Sequence, residues 1–146
     1  MEKGKYVVYC DGAVEPCQPG GHAVGGWVVY DDKGKKLGQG AASIAKGSGA
    51  TSNVAEFGAV YNALLWLLER NWTESTVMVR TDSSLIVSHL NSSINCRTRH
   101  LISWRDKIWK LCEKFSGDVM FSWIPRTENI EADVMSRSLY PRGFLC

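Results

Sequence analysis

The order of strand-like and helix-like segments constrains the fold of this chain more than any other feature. Five segments are rich in β-branched and aromatic residues, which is typical of strands, and four others carry apolar residues at helical spacing. The resulting order, β-β-β-α-β-α-α-β-α, predicts an α/β fold with a five-stranded mixed sheet and helices on both faces. The strands are predicted at 5–10, 22–30, 36–44, 76–81 and 119–124, and the helices at 53–70, just after Asp82, at 98–115 and at 129–139.

The connections between these segments favour particular pairings. Residues 31–34 (Asp-Asp-Lys-Gly) form a predicted hairpin turn, so the first three strands are expected to make an antiparallel meander, with the fourth and fifth added in parallel. Residues 11–21 contain two Pro and three Gly, which predicts a turn or loop directly after the first strand. Ser52 or Asn53 is the expected N-cap of the first long helix, and Asp82 or Ser83 that of the short helix.

The composition is that of an ordinary globular protein. The 146 residues, without an internal repeat or a linker, predict one domain spanning 1–146. A net charge of +2 means that nucleic-acid binding would need a local basic face. The sequence shows no apolar run of membrane-spanning length and no secretory leader, so we expect a cytoplasmic protein without a membrane partner. The five cysteines form no Cys-x-x-Cys pair and are expected to be mostly buried free thiols, with a disulfide as the alternative.

Four carboxylates stand at the edges of different predicted elements: Asp11, Glu56, Asp82 and Asp133. If the first and fourth strands pair in parallel, Asp11 and Asp82 emerge at the same edge of the sheet. Glu56, one turn into a helix, and Asp133, near the start of the last helix, can face that edge. Converging carboxylates repel one another, and a hard divalent cation such as Mg²⁺ relieves that repulsion. Such a site suits the cleavage of phosphodiesters.

Three of these carboxylates also have a purely structural interpretation. Asp82 could cap the short helix, Glu56 could complete a capping box with Asn53, and Asp133 could favour a helix dipole. Each structural interpretation could explain one residue alone. They are weaker as an explanation of all four carboxylates, because Asp11 directly follows an apolar strand and has no such interpretation.

Four motifs, in order, carry a family resemblance. Asp11-Gly12-Ala13 is followed by Pro-Gly-Gly at 19–21, and Thr-Ser-Asn-Val-Ala-Glu occupies 51–56. Thr-Asp-Ser occupies 81–83, and Trp-Ile-Pro-Arg at 123–126 precedes Asn129 and Asp133. Over nearly its whole length the chain resembles the type 1 ribonuclease H family.

The resemblance implies an endonuclease that hydrolyses the RNA strand of RNA–DNA hybrids and leaves 5′-phosphate and 3′-hydroxyl ends. It implies two Mg²⁺ ions, with Mn²⁺ as an alternative, that activate a water and stabilise the leaving oxygen. It implies a monomer without a small-molecule cofactor. The implied metal ligands are Asp11, Glu56, Asp82 and Asp133, with Asp11 bridging both ions. The implied substrate contacts are Gly12, Ala13, Thr51, Ser52, Asn53, Ser83, Arg126 and Asn129.

The sequence departs from the family pattern in three places. Many members have a His in the loop before the last carboxylate, whereas 126–128 is Arg-Thr-Glu, which leaves Arg126 or Glu128 to take its place. Gln18 and Ser52 stand where Asn is usual. A separate basic protrusion is missing, and the basic, Trp-containing stretch 96–114 either serves in part or is a solvated helix face.

Three other functions remain open at this stage: a DNA-directed nuclease of the same superfamily, a hybrid-binding module with little turnover, and a fragment of a reverse transcriptase. The motif at 51–56 and the antiparallel first strands argue against a DNA-directed nuclease. The full set of four carboxylates argues against a module that only binds. The start at Met1 favours a free-standing protein over a fragment.

Overall fold

The computed structural model describes residues 4–15, 21–91 and 99–140. Its five strands are β1 Lys5–Glu15, β2 His22–Asp31, β3 Lys36–Lys46, β4 Thr76–Thr81 and β5 Val119–Trp123. They form one sheet in the order β3-β2-β1-β4-β5. β1, β2 and β3 pair antiparallel, whereas β4 runs parallel to β1 and β5 parallel to β4. The predicted mixed sheet is confirmed.

Helices cover both faces of the sheet. In the described part of the chain they are α1 Ser52–Glu69, α2 Ser84–Asn91, α3 Arg99–Cys112 and α4 Ile130–Arg137. Successive residues of a strand face opposite sides. A Cβ on Gly25 would lie 2.6 Å from the Ala59 Cα of α1, whereas one on its neighbour Gly26 would meet Ser136 of α4. The two helices therefore lie on opposite faces of β2, as the sequence predicted.

The main core lies between α1 and the sheet, and α3 packs against the same cluster. Phe57 and Leu64 of α1 are fully buried against Val8 of β1 and Val79 of β4. Burial of each such side chain contributes roughly 1.5–3 kcal/mol. This packing fixes α1, the helix that carries Glu56, relative to β1 and β4. Within the described ranges, no helix has the length and apolarity needed to cross a membrane.

The predicted loop after Asp11 is wrong for residues 11–15. β1 continues to Glu15, which pairs with His22 of β2. The pairing of β1 with β4, by contrast, stops at Cys10 and Thr81. Cross-strand hydrogen bonds to β2 satisfy the backbone there, and the local composition does not reveal such a partner. Residues 16–20 lie outside the described part of the chain.

The ends of the other elements agree closely with the predicted ones. The hairpin at 31–34 is confirmed, and the Asp31 carboxylate accepts hydrogen bonds from the amides of Lys33 and Lys35 at 2.9 and 2.8 Å. The N-cap of α1 was predicted wrongly: it is Thr51, whose hydroxyl accepts from the Val54 amide at 3.3 Å, rather than Ser52 or Asn53.

Two of the five cysteines lie in the described residues. Cys10 is buried, Cys112 is half-buried, and both are free thiols, as predicted. The other three, Cys17, Cys96 and Cys146, lie outside those residues.

Candidate active site

The site forms where β1 and β4 stop pairing. Cys10 and Thr81 are the last paired residues of these parallel strands, so Asp11 and Asp82 leave the shared ladder side by side. Asp11 is only 5% exposed, and its Oδ1 accepts a hydrogen bond from the Gly12 amide at 2.9 Å. The carbonyl of Asp82 accepts from the indole N–H of Trp123 at 3.1 Å, which ties the end of β4 to the end of β5.

Glu56 reaches the same place because α1 packs very closely on β1. A Cβ on Gly12 would lie 2.5 Å from the Ala55 carbonyl carbon and 2.6 Å from the Glu56 amide nitrogen. Only glycine permits so close an approach. The hydroxyl of Thr81, a buried residue of β4, donates to Glu56 Oε2 at 3.4 Å. These contacts hold Glu56 between β1 and β4.

Three carboxylates therefore converge. Asp11, Glu56 and Asp82 each offer an oxygen, and these oxygens all lie within 4.8 Å of one another. Burial, and then the charge of Asp82, raises the pKa of Asp11 from 3.8 to about 7. Burial, and then the charge of Asp11, raises the pKa of Glu56 well above 4.5. Hard oxygen donors gathered under such repulsion fit a divalent cation with oxygen coordination.

Asp133 stands on the Asp11 side of this cluster. It lies in the first turn of α4 and lines the same pocket as Asp11 and Glu56. Its carboxylate is close enough to contribute to the raised pKa of Asp11, but it is outside the group of three mutually close oxygens. The geometry thus comprises a close triad, with a fourth carboxylate next to Asp11 alone.

A buried amide positions the helix that carries Asp133. Asn129, just before α4, is 1% exposed, and its Nδ2 donates to the Cys10 carbonyl at 2.8 Å. The backbone carbonyl of Asn129 accepts a hydrogen bond from the Asp133 amide at 3.1 Å. Asn129 therefore links the start of α4 to the strand residue that precedes Asp11.

The predicted substrate contacts divide into two groups. Gly12, Ala13, Ser52 and Arg126 line the pocket together with the carboxylates. The others occupy supporting positions. Thr51 caps α1, and Asn53 is half-buried in its first turn. The hydroxyl of Ser83 accepts from the Ile86 amide at 3.3 Å at the start of α2, and Asn129 is buried as described above.

Two charged pocket residues were missed from the sequence: Glu15 and Arg137. Both line the pocket, and Arg137 bonds to Asp133 and to Glu15. The spacing of Arg137, four residues after Asp133, was a usable signal because such residues are neighbours on a helix. Glu15 gave no comparable signal, since it was assigned to a loop and is 122 positions from Arg137.

The basic stretch on α3 makes contacts of its own. Arg105 lies over the Trp109 ring with its Cζ 4.5 Å from the ring centre, and Lys107 Nζ is 4.8 Å from the centre of the Trp104 ring. Trp104 is half-buried and packs against the core. Two cations of this helix, Arg105 and Lys107, thus lie against aromatic side chains.

Comparisons with known proteins identify the family. A family model described as "Reverse transcriptase-like" matches residues 9–139, a range that contains all four carboxylates. The RNase H1 of the halophilic archaeon Halobacterium salinarum NRC-1 superposes with a TM-score of 0.79 at 27% identity, over 90% of this chain and 94% of that one. The chain belongs to the ribonuclease H family. LC11-RNase H1, crystallised with an RNA/DNA hybrid, superposes with a TM-score of 0.77 at 30% identity. The match covers 89% of this chain and 92% of the LC11-RNase H1 chain.

Two further relatives extend the comparison. The N-terminal RNase H domain of Rv2228c from Mycobacterium tuberculosis shares the fold, with a TM-score of 0.80 at 24% identity and 93% of each chain covered. A curated relative, the uncharacterised protein YpeP of Bacillus subtilis, is 27% identical over 95 residues. These residues are 65% of this chain and 42% of YpeP. The chain thus matches less than half the length of that relative.

Proposed function

We propose that this chain is a metal-dependent endoribonuclease that hydrolyses the RNA strand of RNA–DNA hybrids, leaving 5′-phosphate and 3′-hydroxyl ends. The observation that carries the proposal is the convergence of Asp11, Glu56 and Asp82, whose nearest oxygens lie within 4.8 Å of one another. Asp133 lines the same pocket as Asp11 and Glu56. The chain belongs to the ribonuclease H family, and the related LC11-RNase H1 has been crystallised with an RNA/DNA hybrid.

The carboxylates divide naturally between two cation sites. Asp11, Glu56 and Asp82 would hold one Mg²⁺, with Mn²⁺ as the alternative, and Asp133 would share a second with Asp11. When bound, such a pair of cations supplies a water of lowered pKa and neutralises charge on the leaving oxygen. Asp11 would contribute to both sites, because Glu56, Asp82 and Asp133 all lie close enough to affect its pKa. The buried position of Asp11 keeps bulk water from screening the charge of its carboxylate.

Substrate selection is assigned to the rim of the same pocket. The strand residues Gly12 and Ala13 and the exposed Ser52 lie beside the carboxylates, where a 2′-hydroxyl of the RNA strand can be recognised. Arg126 is exposed at the pocket, and its guanidinium suits a phosphate oxygen in place of the loop His of other members.

The remaining predicted contacts are proposed to act from the ends of helices. Thr51 and Asn53 stand at the N-terminus of α1, which favours a phosphate of the DNA strand. Ser83 follows Asp82 at the start of α2. Asn129 would act indirectly, by fixing α4 next to Asp11. Because one copy of the chain provides every residue named for the site, we propose that it acts as a monomer.

The test is cleavage of an end-labelled RNA–DNA hybrid by the purified protein with Mg²⁺ or Mn²⁺, beside duplex RNA and duplex DNA of the same sequence. We expect cuts in the RNA of the hybrid alone. Asp11→Asn should lower the rate by roughly 100-fold or more, since it removes a charge that both cation sites use. The control Asp118→Asn changes an exposed carboxylate next to the opposite end of β5 and should retain the wild-type rate.

Two outcomes would contradict the proposal. A folded protein that binds the hybrid and leaves it intact with either metal would be a binding module. Cleavage of duplex DNA in preference to the hybrid would indicate a DNA-directed nuclease.

A further inference from the structure

We infer that Arg137 is a positioning residue that controls the access of a second cation to Asp133, so that the two cations bind in a fixed order. The inference rests on the proposed metal site and adds to it a residue that the metal does not contact. Arg137 acts through Asp133, and its guanidinium is shared between Asp133 and Glu15.

The contacts of Arg137 join α4 to β1. Its Nη1 lies 2.6 Å from Glu15 Oε1, and its Nε donates to Asp133 Oδ1 at 3.2 Å. All three side chains line the carboxylate pocket. The Arg137 side chain is 52% exposed, so a change at this position leaves the core intact. One oxygen of Asp133, Oδ1, is therefore engaged by a cationic side chain.

The triad carries no comparable partner. Among the described residues, no Lys, Arg or His lies within 4.0 Å of a carboxylate oxygen of Asp11, Glu56 or Asp82. A guanidinium is therefore paired with Asp133, whereas no cationic side chain in the described part of the chain is paired with the three carboxylates of the triad. A cation that enters the triad relieves unbalanced repulsion, whereas a cation that binds Asp133 must compete with a guanidinium already paired to it.

This difference predicts the order of binding. The first cation goes to the triad, and the second goes to Asp133 and Asp11 more weakly. Glu15 keeps Arg137 in place by pairing with its other end, and that pairing links the second cation site to the last residue of β1. Removal of the guanidinium should release Asp133 and strengthen the second binding step.

The experiment counts Mn²⁺ bound to the full chain without nucleic acid, by the electron paramagnetic resonance signal of free Mn²⁺ and by calorimetry. Arg137→Gln should strengthen the second binding step by roughly 3- to 10-fold, as expected for the loss of a partly exposed cation at ion-pair distance. The first step should change by less than about twofold, because the triad makes no ion pair with Arg137. An unchanged first step also shows that the site is folded.

Three further variants separate this contact from general charge. Arg126→Gln removes the same charge from the lining of the same pocket without breaking an ion pair to Asp133, so its effect on the second step should be smaller. Arg137→Lys keeps the charge and should behave like the wild type. On an Asp133→Asn background, Arg137→Gln should have no effect on cation binding.

A second Mn²⁺ that binds more tightly to Arg137→Gln than to the wild type, or that binds to the variant alone, supports the inference. A second step that is unchanged, weaker, or shifted no more than by Arg126→Gln overturns it, and so does an Arg137→Lys variant that behaves like Arg137→Gln. Because no hybrid is present, a protein that fails to cut RNA would refute the proposed function and leave this result standing.

Discussion

At the scale of single residues, Asp11 combines burial with three neighbouring carboxylates. It is 5% exposed, its pKa is raised to about 7, and the largest causes are burial and the charge of Asp82. The folded, metal-free protein therefore binds a proton at Asp11 more tightly than the unfolded chain does. A cation replaces that proton, so cation affinity should rise with pH over the same range.

This residue gives the metal-free protein a defined pH dependence. Below about pH 4 Asp11 is protonated in both states, and the stability linked to its raised pKa is lost as the pH rises through about 7. Asp11→Asn removes the charge but keeps an oxygen for the Gly12 amide. In chelator, the variant should be more stable than the wild type by roughly 4 kcal/mol above pH 7 and nearly equal to it near pH 4, because each pKa unit of the rise corresponds to about 1.4 kcal/mol.

Chemical denaturation at several pH values measures this difference. Asp118→Asn, at an exposed position, is the matched control, and its free energy of unfolding should follow that of the wild type. An Asp11→Asn variant whose stability relative to the wild type does not vary with pH would contradict the account of Asp11.

The sequence predicted four carboxylates that the fold brings close together, but not the ion pairs around one of them, Asp133. The four carboxylates were found because each follows a recognisable local pattern at the edge of an element. Glu15 and Arg137 were missed because their pairing joins the end of β1 to α4, and such a contact depends on how the two elements pack. Asn129 was expected at the substrate but is buried, because its amide bonds to the Cys10 carbonyl.

At the scale of elements, the approach of α1 to β1 determines the geometry of the triad. Gly12 is the point of contact, and a Cβ there would lie 2.5 Å from the backbone of Ala55. The helix carries Glu56 one residue beyond that contact. Any displacement of α1 away from β1 therefore moves Glu56 away from Asp11.

Gly12→Ala should accordingly disturb both stability and cation binding. Overpacking against the helix backbone should cost roughly 1–3 kcal/mol of unfolding free energy, and Mn²⁺ should bind more weakly because Glu56 is displaced. Gly49→Ala is the matched control, since a Cβ there meets nothing within 4 Å. Thermal denaturation and Mn²⁺ titration measure the two effects. A Gly12→Ala protein with wild-type Mn²⁺ affinity would show that the close contact does not position Glu56.

Elements were easier to predict than their ends. The apolar periodicity of α1 and the β-branched composition of β4 identified both segments, because each pattern reflects burial on a single face. The extension of β1 beyond Asp11 depends on hydrogen bonds to β2, which local composition does not reveal. The cap at Thr51 was missed because Thr51, Ser52 and Asn53 are all capable caps, and the backbone alone decides among them.

At the scale of the whole molecule, the sheet gathers residues that are far apart in sequence. Parallel pairing of β1 with β4 brings Asp11 next to Asp82, and α1 and α4, on opposite faces, add Glu56 and Asp133 from either side. The site therefore depends on the complete arrangement of sheet and helices. The order of elements predicted a mixed sheet with helices on its faces, because few topologies accommodate that order. The parallel pairing of β1 with β4 was a condition of the sequence argument, and the structure supplies it.

The location of a bound cation tests the central claim most directly. Crystals grown without metal and soaked in Mn²⁺ should show an anomalous scattering peak between the carboxylates of Asp11, Glu56 and Asp82, which already lie within 4.8 Å of one another. A saturating soak that leaves this position empty, or that places Mn²⁺ elsewhere while the three side chains point apart, would contradict the account.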